Sequence, residues 1–163
     1  GTWKKVGYST TVKPDKYDSA LLYGLEAGKY RLALKTPKDQ IINIEYTRDK
    51  SKKKAAYKKS KAINLKSDID SIYTSTEKAA RWYKVSVSST KKRKAVTLSK
   101  DSVGGGFKFC VYQKGKRLKT VKVTKNDKVK TVKLPKKKGA YYVKVTKLTS
   151  KTTGAYYLGT YRY

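Results

Sequence analysis

Apolar and polar residues alternate with a period of two along much of this 163-residue chain. The alternation is clearest in segments 83–88 and 141–146, where tyrosine or valine occupies every second position. Successive side chains of a β-strand point to opposite faces, so the pattern predicts strands that are buried on one face. We expect the core to form around the inward-facing residues of these and similar strands, which are Tyr83, Val85, Val111, Val143 and Val145.

Further strands are predicted where the alternation or a β-rich run recurs, in segments 30–34, 40–46, 95–98, 107–112, 118–123, 129–134 and 155–161. Glycine, proline, asparagine and aspartate lie between many of these segments, as expected for turns. Strands at this spacing predict an all-β protein. The fold class that we expect is a jelly-roll-like antiparallel β-sandwich with a smaller N-terminal β lobe.

A lysine-rich run at residues 51–61 interrupts the pattern and divides the chain. It has too few apolar residues to bury much surface, which indicates a linker or a short exposed helix. Segments 25–34 and 134–145, on its two sides, each contain a leucine, a short spacer, a glycine and an aromatic-led strand. We therefore predict a β-hairpin lobe at 1–50 that is a partial repeat, the linker at 51–61 and a β-sandwich at 62–163.

The formal net charge is +31, from 42 basic and 11 acidic residues, and 36 of the basic residues are lysine. Lysine is a hydrated point charge, whereas arginine pairs two-pronged with phosphates and guanine edges. The bias favours non-specific contact with a polyanion: a bacterial wall polymer, an acidic glycan, anionic lipid headgroups or nucleic acid. Lysines also keep strand edges from pairing and keep a β-protein soluble, so their abundance alone does not identify a ligand.

The candidate polyanion contacts are the basic residues that cluster in the sequence, namely Lys52, Lys53, Lys54, Lys58, Lys59, Lys91, Lys92, Arg93, Lys136, Lys137 and Lys138. Aromatic residues beside cations offer rings on which sugars or bases stack, and the candidates for this contact are Trp3 and Tyr161. Alternation makes Trp82 and Tyr83 face opposite ways, and we expect Trp82 to pack in the core.

The residues indicate no catalytic chemistry. The chain has no histidine, which removes the commonest general base and metal ligand. Its one cysteine, Cys110, lies in a strand-like run and is expected to be a small buried hydrophobe. Asp68 and Asp70 are the best pair of oxygen ligands for calcium, but turn-forming aspartates that balance nearby lysines are the simpler interpretation. We expect a protein that is not an enzyme and has no cofactor.

No apolar stretch approaches the roughly 20 residues that a transmembrane helix needs. We therefore expect no transmembrane segment, and if the protein is exported, the chain is its mature fragment.

Five features of residues 62–163 point to a known family: Ile72 before a loop, Trp-Tyr-Lys-Val at 82–85, Phe-Cys-Val-Tyr at 109–112 followed by Gly115, Gly-Ala-Tyr-Tyr-Val-Lys-Val at 139–145, and Gly-Ala-Tyr-Tyr-Leu at 154–158. In these features the segment resembles the bacterial pre-peptidase C-terminal domain, a secreted β-sandwich. Arg81 stands where that family often has an acidic residue before the Trp-Tyr pair, which argues against a calcium site carried over from the family.

The resemblance implies export, a non-catalytic accessory role, and a duty in attachment or substrate targeting. A lysine- and tyrosine-rich version is similar to surface proteins of Gram-positive bacteria. Together with the charge, this predicts an extracellular or cell-wall-associated module that contacts an anionic cell-wall polymer or glycan through lysine-rich faces. The alternative is a non-specific nucleic-acid-binding protein.

Overall fold

The computed structural model describes residues 11–13, 29–36, 41, 43–45, 55–65, 72–74, 80–101, 105–124, 126–149, 152 and 155–163. The regular elements in these residues are a short 3-10 helix (Lys59–Lys61) and the strands β1 (Ile63–Leu65), β2 (Ile72–Thr74), β3 (Arg81–Val87), β4 (Lys94–Asp101), β5 (Phe107–Gln113), β6 (Lys116–Val123), β7 (Val129–Lys133), β8 (Gly139–Lys147) and β9 (Ala155–Arg162). In the part of the chain described here, no helix has the length and apolar character needed to cross a membrane.

The strands form two sheets that pack face to face. One sheet has five strands in the order β1-β3-β8-β5-β6, and the other has four in the order β2-β9-β4-β7. Neighbouring strands are antiparallel, except that β1 runs parallel to β3. The prediction of an all-β sandwich is therefore confirmed, with one short parallel strand added at the edge of the larger sheet.

The hydrophobic core lies between the two sheets. The side chains that the alternation predicts to face inward, Tyr83, Val85, Val111, Val143 and Val145, are all buried in it. The four-stranded sheet contributes Val96, Leu98, Val132, Tyr156 and Leu158. Burial of one such side chain stabilises a fold by about 1.5–3 kcal/mol, so the period-two pattern is the main determinant of this architecture.

A hydrogen bond between two tyrosines crosses the core. The hydroxyls of Tyr83 on β3 and Tyr156 on β9 are 2.9 Å apart, and both side chains are buried. The ring of Tyr156 also packs edge-on against Phe107, with 4.8 Å between ring centroids. Because a buried hydroxyl without a partner destabilises a fold, this contact favours one relative position of the two sheets.

The backbone just before β5 approaches β6 so closely that position 106 requires glycine. A Cβ atom on Gly106 would overlap the carbonyl oxygen of Val123. The buried hydroxyl of Thr152 accepts a hydrogen bond from the Gly106 amide (3.2 Å) and donates one to the Gly106 carbonyl (2.9 Å). These bonds satisfy the amide and the carbonyl of Gly106, which lies just outside the regular strand ladder.

The strand predicted at 30–34 is not formed. Residues 29–36 have irregular, exposed backbone, and the side chains of Tyr30, Leu32 and Leu34 are exposed. The described residues of the strand predicted at 40–46 are irregular and exposed as well. Alternation by itself does not form a strand, because the backbone also needs a neighbouring strand for its hydrogen bonds. Residues 11–13 are also irregular and exposed, and the rest of the lobe predicted at 1–50 lies outside the described residues.

The packed part of the molecule begins before residue 62. Ala56 is buried, and its carbonyl oxygen accepts a hydrogen bond from the amide of Trp82 at 2.8 Å. The ring of Tyr57 lies against Arg81, with 5.6 Å between the guanidinium carbon and the ring centroid. Residues 55–61, the second half of the lysine-rich run, therefore contact β3.

Gly106→Ala is expected to lower the free energy of unfolding by about 1–3 kcal/mol, because the added methyl group meets the backbone of Val123 and Thr124. Urea unfolding followed by tryptophan fluorescence measures the change. Ser88→Ala is the control, since position 88 is exposed and a surface substitution changes stability by less than about 0.5 kcal/mol. If Gly106→Ala is no more destabilising than a surface substitution, the close approach is wrong.

Candidate functional site

Four chain segments meet at one end of the sandwich. Val87 pairs with Gly139, so the β3–β4 and β7–β8 connections lie side by side. The pairing of β5 with β8 brings the β5–β6 turn to the same end. Backbone hydrogen bonds of 3.0 and 3.2 Å between Arg93 and Tyr163 add the residues that follow β9. We call residues 88–93, 114–115, 134–138 and 161–163 the basic end.

The basic end carries many exposed cations and, by sequence, no acidic residue. Its exposed basic residues are Lys91, Lys92, Arg93, Lys114, Lys136, Lys137, Lys138 and Arg162. The fold thus brings together two clusters that the sequence predicts as polyanion contacts, 91–93 and 136–138. Lys114 and Arg162 join them through strand pairing, for which the linear sequence gives no direct signal. Summed over one end, these charges create a positive potential that attracts anions.

Tyr141 holds the lysine-bearing loop 134–138 in place. Its buried hydroxyl donates a hydrogen bond to the carbonyl of Lys137 at 2.9 Å and lies 3.4 Å from the carbonyl of Pro135. The amide of Leu134 donates to the carbonyl of Lys94 at 2.8 Å. Burial raises the pKa of the Tyr141 hydroxyl above its ordinary value, so the donating proton is retained. The three lysines of the loop therefore project from a backbone that is tied at two points.

Tyr161, predicted as an aromatic contact, lies at the basic end. Its side chain is 40% exposed, and its ring is tilted against that of Tyr163 with 5.9 Å between centroids. The Lys133 ammonium lies 4.9 Å from the centroid of the Tyr163 ring. A ligand at the basic end therefore meets apolar ring surface as well as charge.

The opposite end of the sandwich has a different charge pattern. In the β6–β7 turn, the carboxylate of Asp127 pairs with the Lys130 ammonium at 2.7 Å and accepts hydrogen bonds from the amide and hydroxyl of Thr124 at 2.9 and 2.7 Å. The Lys130 contact, and then those of Thr124, hold the pKa of Asp127 well below its ordinary value. Asp101 ends β4 at the same end. The distribution of charge along the sandwich is therefore asymmetric.

A second group of rings and cations lies on the outer face of the five-stranded sheet. Trp82 is half-buried on this face, so the prediction that it packs in the core is wrong. The reason is that Tyr83 takes the inward position of β3, and adjacent residues of a strand face opposite sides. The Trp82 ring is tilted against Tyr112 with 5.5 Å between centroids, and the Lys144 ammonium lies 5.6 Å from the Trp82 ring centroid.

The neighbouring ring on this face is Tyr142, and the Lys59 ammonium lies 4.7 Å from its centroid. Lys84 pairs with Tyr142 in the β3–β8 ladder, and Tyr112 pairs with Tyr142 in the β5–β8 ladder. We call Lys59, Trp82, Lys84, Tyr112, Tyr142 and Lys144 the aromatic–lysine face.

Cys110 is buried, as predicted, but on the outer side of the sheet beneath this face. It pairs with Lys144 in the β5–β8 ladder, and its sulfur lies 3.4 Å from the hydroxyl of Thr120. Burial and the neighbouring Cys110 thiol raise the pKa of Tyr112, while Arg117 opposes the shift. Tyr112 therefore stays neutral and presents an uncharged ring to the face.

The other predicted contacts lie elsewhere or outside the described residues. Lys58 and Lys59 are exposed beside β3, away from the basic end. Lys52, Lys53, Lys54, Trp3, Asp68 and Asp70 lie outside the described residues, so their predicted roles stay predictions. Among the residues that the structure describes, no group of three or more cysteine, aspartate or glutamate side chains is placed to hold a metal ion.

The solved structures that are similar to this chain include two β-sandwich domains. The pre-peptidase C-terminal domain of a collagenase from Bacillus anthracis is 19% identical with a TM-score of 0.46, over 61% of this chain and 91% of that chain. A family 35 carbohydrate binding module from an environmental isolate is 17% identical with a TM-score of 0.40, over 56% of this chain and 77% of that chain. No protein-family model matches the sequence, and a search of curated proteins gives no significant match.

Tyr141→Phe is expected to lower the free energy of unfolding by about 1 kcal/mol at neutral pH, because the loop 134–138 loses its side-chain hydrogen bond. The wild type favours the neutral Tyr141 hydroxyl in the folded state, so this contribution is complete below pH 10 and is lost as the pH rises through the raised folded-state pKa. The stability difference between the two proteins should therefore narrow above pH 10. Urea unfolding across this range measures it, and a difference that widens with pH would contradict the role of Tyr141.

Proposed function

We propose that this protein is a non-catalytic, extracellular or cell-wall-associated module that binds anionic polymers through the basic end. The single observation that supports this most is the convergence of segments 91–93 and 136–138 with Lys114 and Arg162 on one surface without an acidic residue. Like charges repel, so such a cluster lowers the stability of the free protein unless an anion neutralises it. A polyanion relieves that repulsion in proportion to the number of charges that it neutralises.

The chemistry of the basic end fits a polymer better than a small anion. Its cations lie on separate segments of the chain and are exposed. Each exposed ion pair contributes only about 0–1 kcal/mol, so useful affinity requires many of them along an extended ligand. Lysine ammonium groups exchange counterions for ligand anions without reading a sequence, which makes binding strongly dependent on salt.

The sequence resemblance to a secreted domain supports a location outside the cell, where wall polymers and acidic glycans are the expected ligands. Nucleic acid satisfies the same electrostatic description and is the competing ligand. A delocalised charge contact ranks polymers by charge density, so in a comparison at one salt concentration the preferred ligand is the one that binds more tightly than its charge density predicts.

Lys136→Gln combined with Lys138→Gln is expected to weaken binding of heparin and of a teichoic-type polyphosphate by about three- to tenfold. It should also reduce the slope of log affinity against log salt by about 1–2, because two ion exchanges are lost. Biolayer interferometry on immobilised polymer measures both quantities. The matched control is Lys100→Gln combined with Lys128→Gln, which removes the same charge from the opposite end, where Lys128 contacts the Lys100 amide through its carbonyl.

If the control pair weakens binding as much as the basic-end pair, net charge alone explains the affinity and the basic end is not the site. If neither polymer binds the wild type at physiological salt, the proposed function is wrong.

A further inference from the structure

The aromatic–lysine face combines rings and cations in a regular pattern set by the ladders of β3, β8 and β5. One row across the sheet contains Lys84, Tyr142 and Tyr112, and Arg117 on β6 continues it. The next row contains Trp82 and Lys144 and leads to Cys110. Each row therefore places a ring beside a cation. By sequence, the outward positions of β3 and β8 in these rows carry no acidic residue.

We propose that the aromatic–lysine face binds an anionic glycan whose pyranose rings carry carboxylate or sulfate groups directly, with sugar rings stacked on Trp82 and Tyr142. This inference rests on the proposed function and names the ligand class. In this assignment Lys144 and Lys59 pair with the anionic groups of the two sugars.

The spacing of charge and ring favours such a sugar. The Lys144 ammonium lies 5.6 Å from the centroid of Trp82, and the Lys59 ammonium lies 4.7 Å from the centroid of Tyr142. A hexuronate or sulfated pyranose carries its charge on or next to the ring. One sugar residue can therefore stack on the aromatic ring and pair with the lysine ammonium that lies about 5 Å from that ring. In a nucleotide, the sugar separates the phosphate from the base. In polyphosphate, there is no ring to stack.

The exposure of the rings is suited to this contact. Trp82, Tyr112 and Tyr142 are half-buried, which fixes their orientation and leaves part of each ring accessible. In the free protein the ammonium groups lie against the electron-rich ring faces, a contact worth little at an exposed site. When an anionic sugar binds, the ammonium group pairs with the charge of the sugar, and C–H groups of the sugar replace the ammonium against the aromatic ring.

The face is also continuous with the basic end. On the same face, the ladder continues from Lys84 and Tyr142 to Ser86 and Ala140, and it ends one pair later at Val87 and Gly139, where the loop 134–138 begins β8. Small side chains in this interval leave a path along the sheet surface. A single extended glycan therefore runs from the stacking rings to the lysines of the basic end.

The test uses the whole protein and three probes of comparable charge: a heparin-derived octasaccharide, inorganic polyphosphate and oligothymidylate. Trp82→Ala and Tyr142→Ser are each expected to weaken octasaccharide binding about tenfold, the usual effect of removing a stacking ring, and to leave polyphosphate binding within twofold. Lys144→Gln should also weaken octasaccharide binding more than Lys128→Gln, its charge-matched control. Tyr157→Ser, which removes a half-buried tyrosine from the other sheet, is the aromatic control.

Fluorescence of Trp82 gives a readout that needs no variant at the site itself. In a Trp3→Phe background Trp82 is the one remaining tryptophan, since the chain has two. The octasaccharide should shift or quench its emission with the same midpoint as binding, whereas polyphosphate at saturation should leave it unchanged.

Three outcomes would overturn the inference, and they are distinct from failure of the proposed function. The first is that octasaccharide and polyphosphate both bind but depend equally on Trp82 and Tyr142. The second is that neither ligand depends on these residues and Trp82 emission does not respond. The third is that oligothymidylate shows the same ring dependence as the octasaccharide, which would make the face a site for single-stranded nucleic acid. Absence of binding to every probe would instead reject the proposed function on which the inference rests.

Discussion

The antiparallel ladder between β3 and β8, in the interior of the five-stranded sheet, determines where both candidate surfaces lie. Its register sets Tyr83 opposite Val143 and Trp82 opposite Lys144. The first pair faces the core and the second faces outward, so a shift of one residue would bury Trp82 and Lys144 and expose the core pair. The same register pairs Val87 with Gly139 and brings the two lysine-bearing connections together. Burial of Tyr83 and Val143 is thus the physical cause of the arrangement of the charges.

That arrangement has an energetic consequence for the free protein. The cations of the basic end repel one another, and the Asp127 carboxylate lies beyond the far end of β7, a strand length of about 17 Å away and so outside a physiological Debye length of about 8 Å. The core between the sheets and the hydrogen bond between Tyr83 and Tyr156 offset this repulsion. The basic end binds a polyanion because the ligand neutralises its repelling charges. We therefore expect its ligands to have a high negative charge in common, and not a particular shape.

The fold could be predicted from the sequence where the period-two pattern is strong. Burial alternates along all seven residues of β3 and at 140–146 of β8, and the core predicted from these strands and from β5 is confirmed at Tyr83, Val111 and Val143. Strands β1 and β2 have three residues each, too few for a period, and the parallel pairing of β1 depends on tertiary contacts with β3. At 30–34 the pattern is present, but the described backbone forms no strand. Alternation determines which side chains face inward, but it does not supply the neighbouring strand that the backbone needs for its hydrogen bonds.

The candidate site was only partly predictable for a related reason. Runs of lysine at 91–93 and 136–138 are visible in the sequence, but their meeting at one end depends on the pairing of Val87 with Gly139. The sequence does contain a signal that predicts the aromatic–lysine face. Trp82, Tyr142 and Lys144 occupy the alternate positions of strands whose other positions are core residues, so once Tyr83 was placed inside, Trp82 had to face outward. The prediction placed Trp82 in the core because its side chain is hydrophobic, although the alternation along the strand points it outward.

Lysine footprinting with and without a heparin-derived oligosaccharide locates bound anionic polymer on the protein. Brief acetylation followed by mass spectrometry reports the accessibility of each lysine separately. If the polymer binds at the basic end, the ligand strongly protects Lys91, Lys92, Lys136, Lys137 and Lys138 and causes little change at Lys100 and Lys128. Uniform protection of all exposed lysines, or protection confined to the end that contains Asp127, would contradict it.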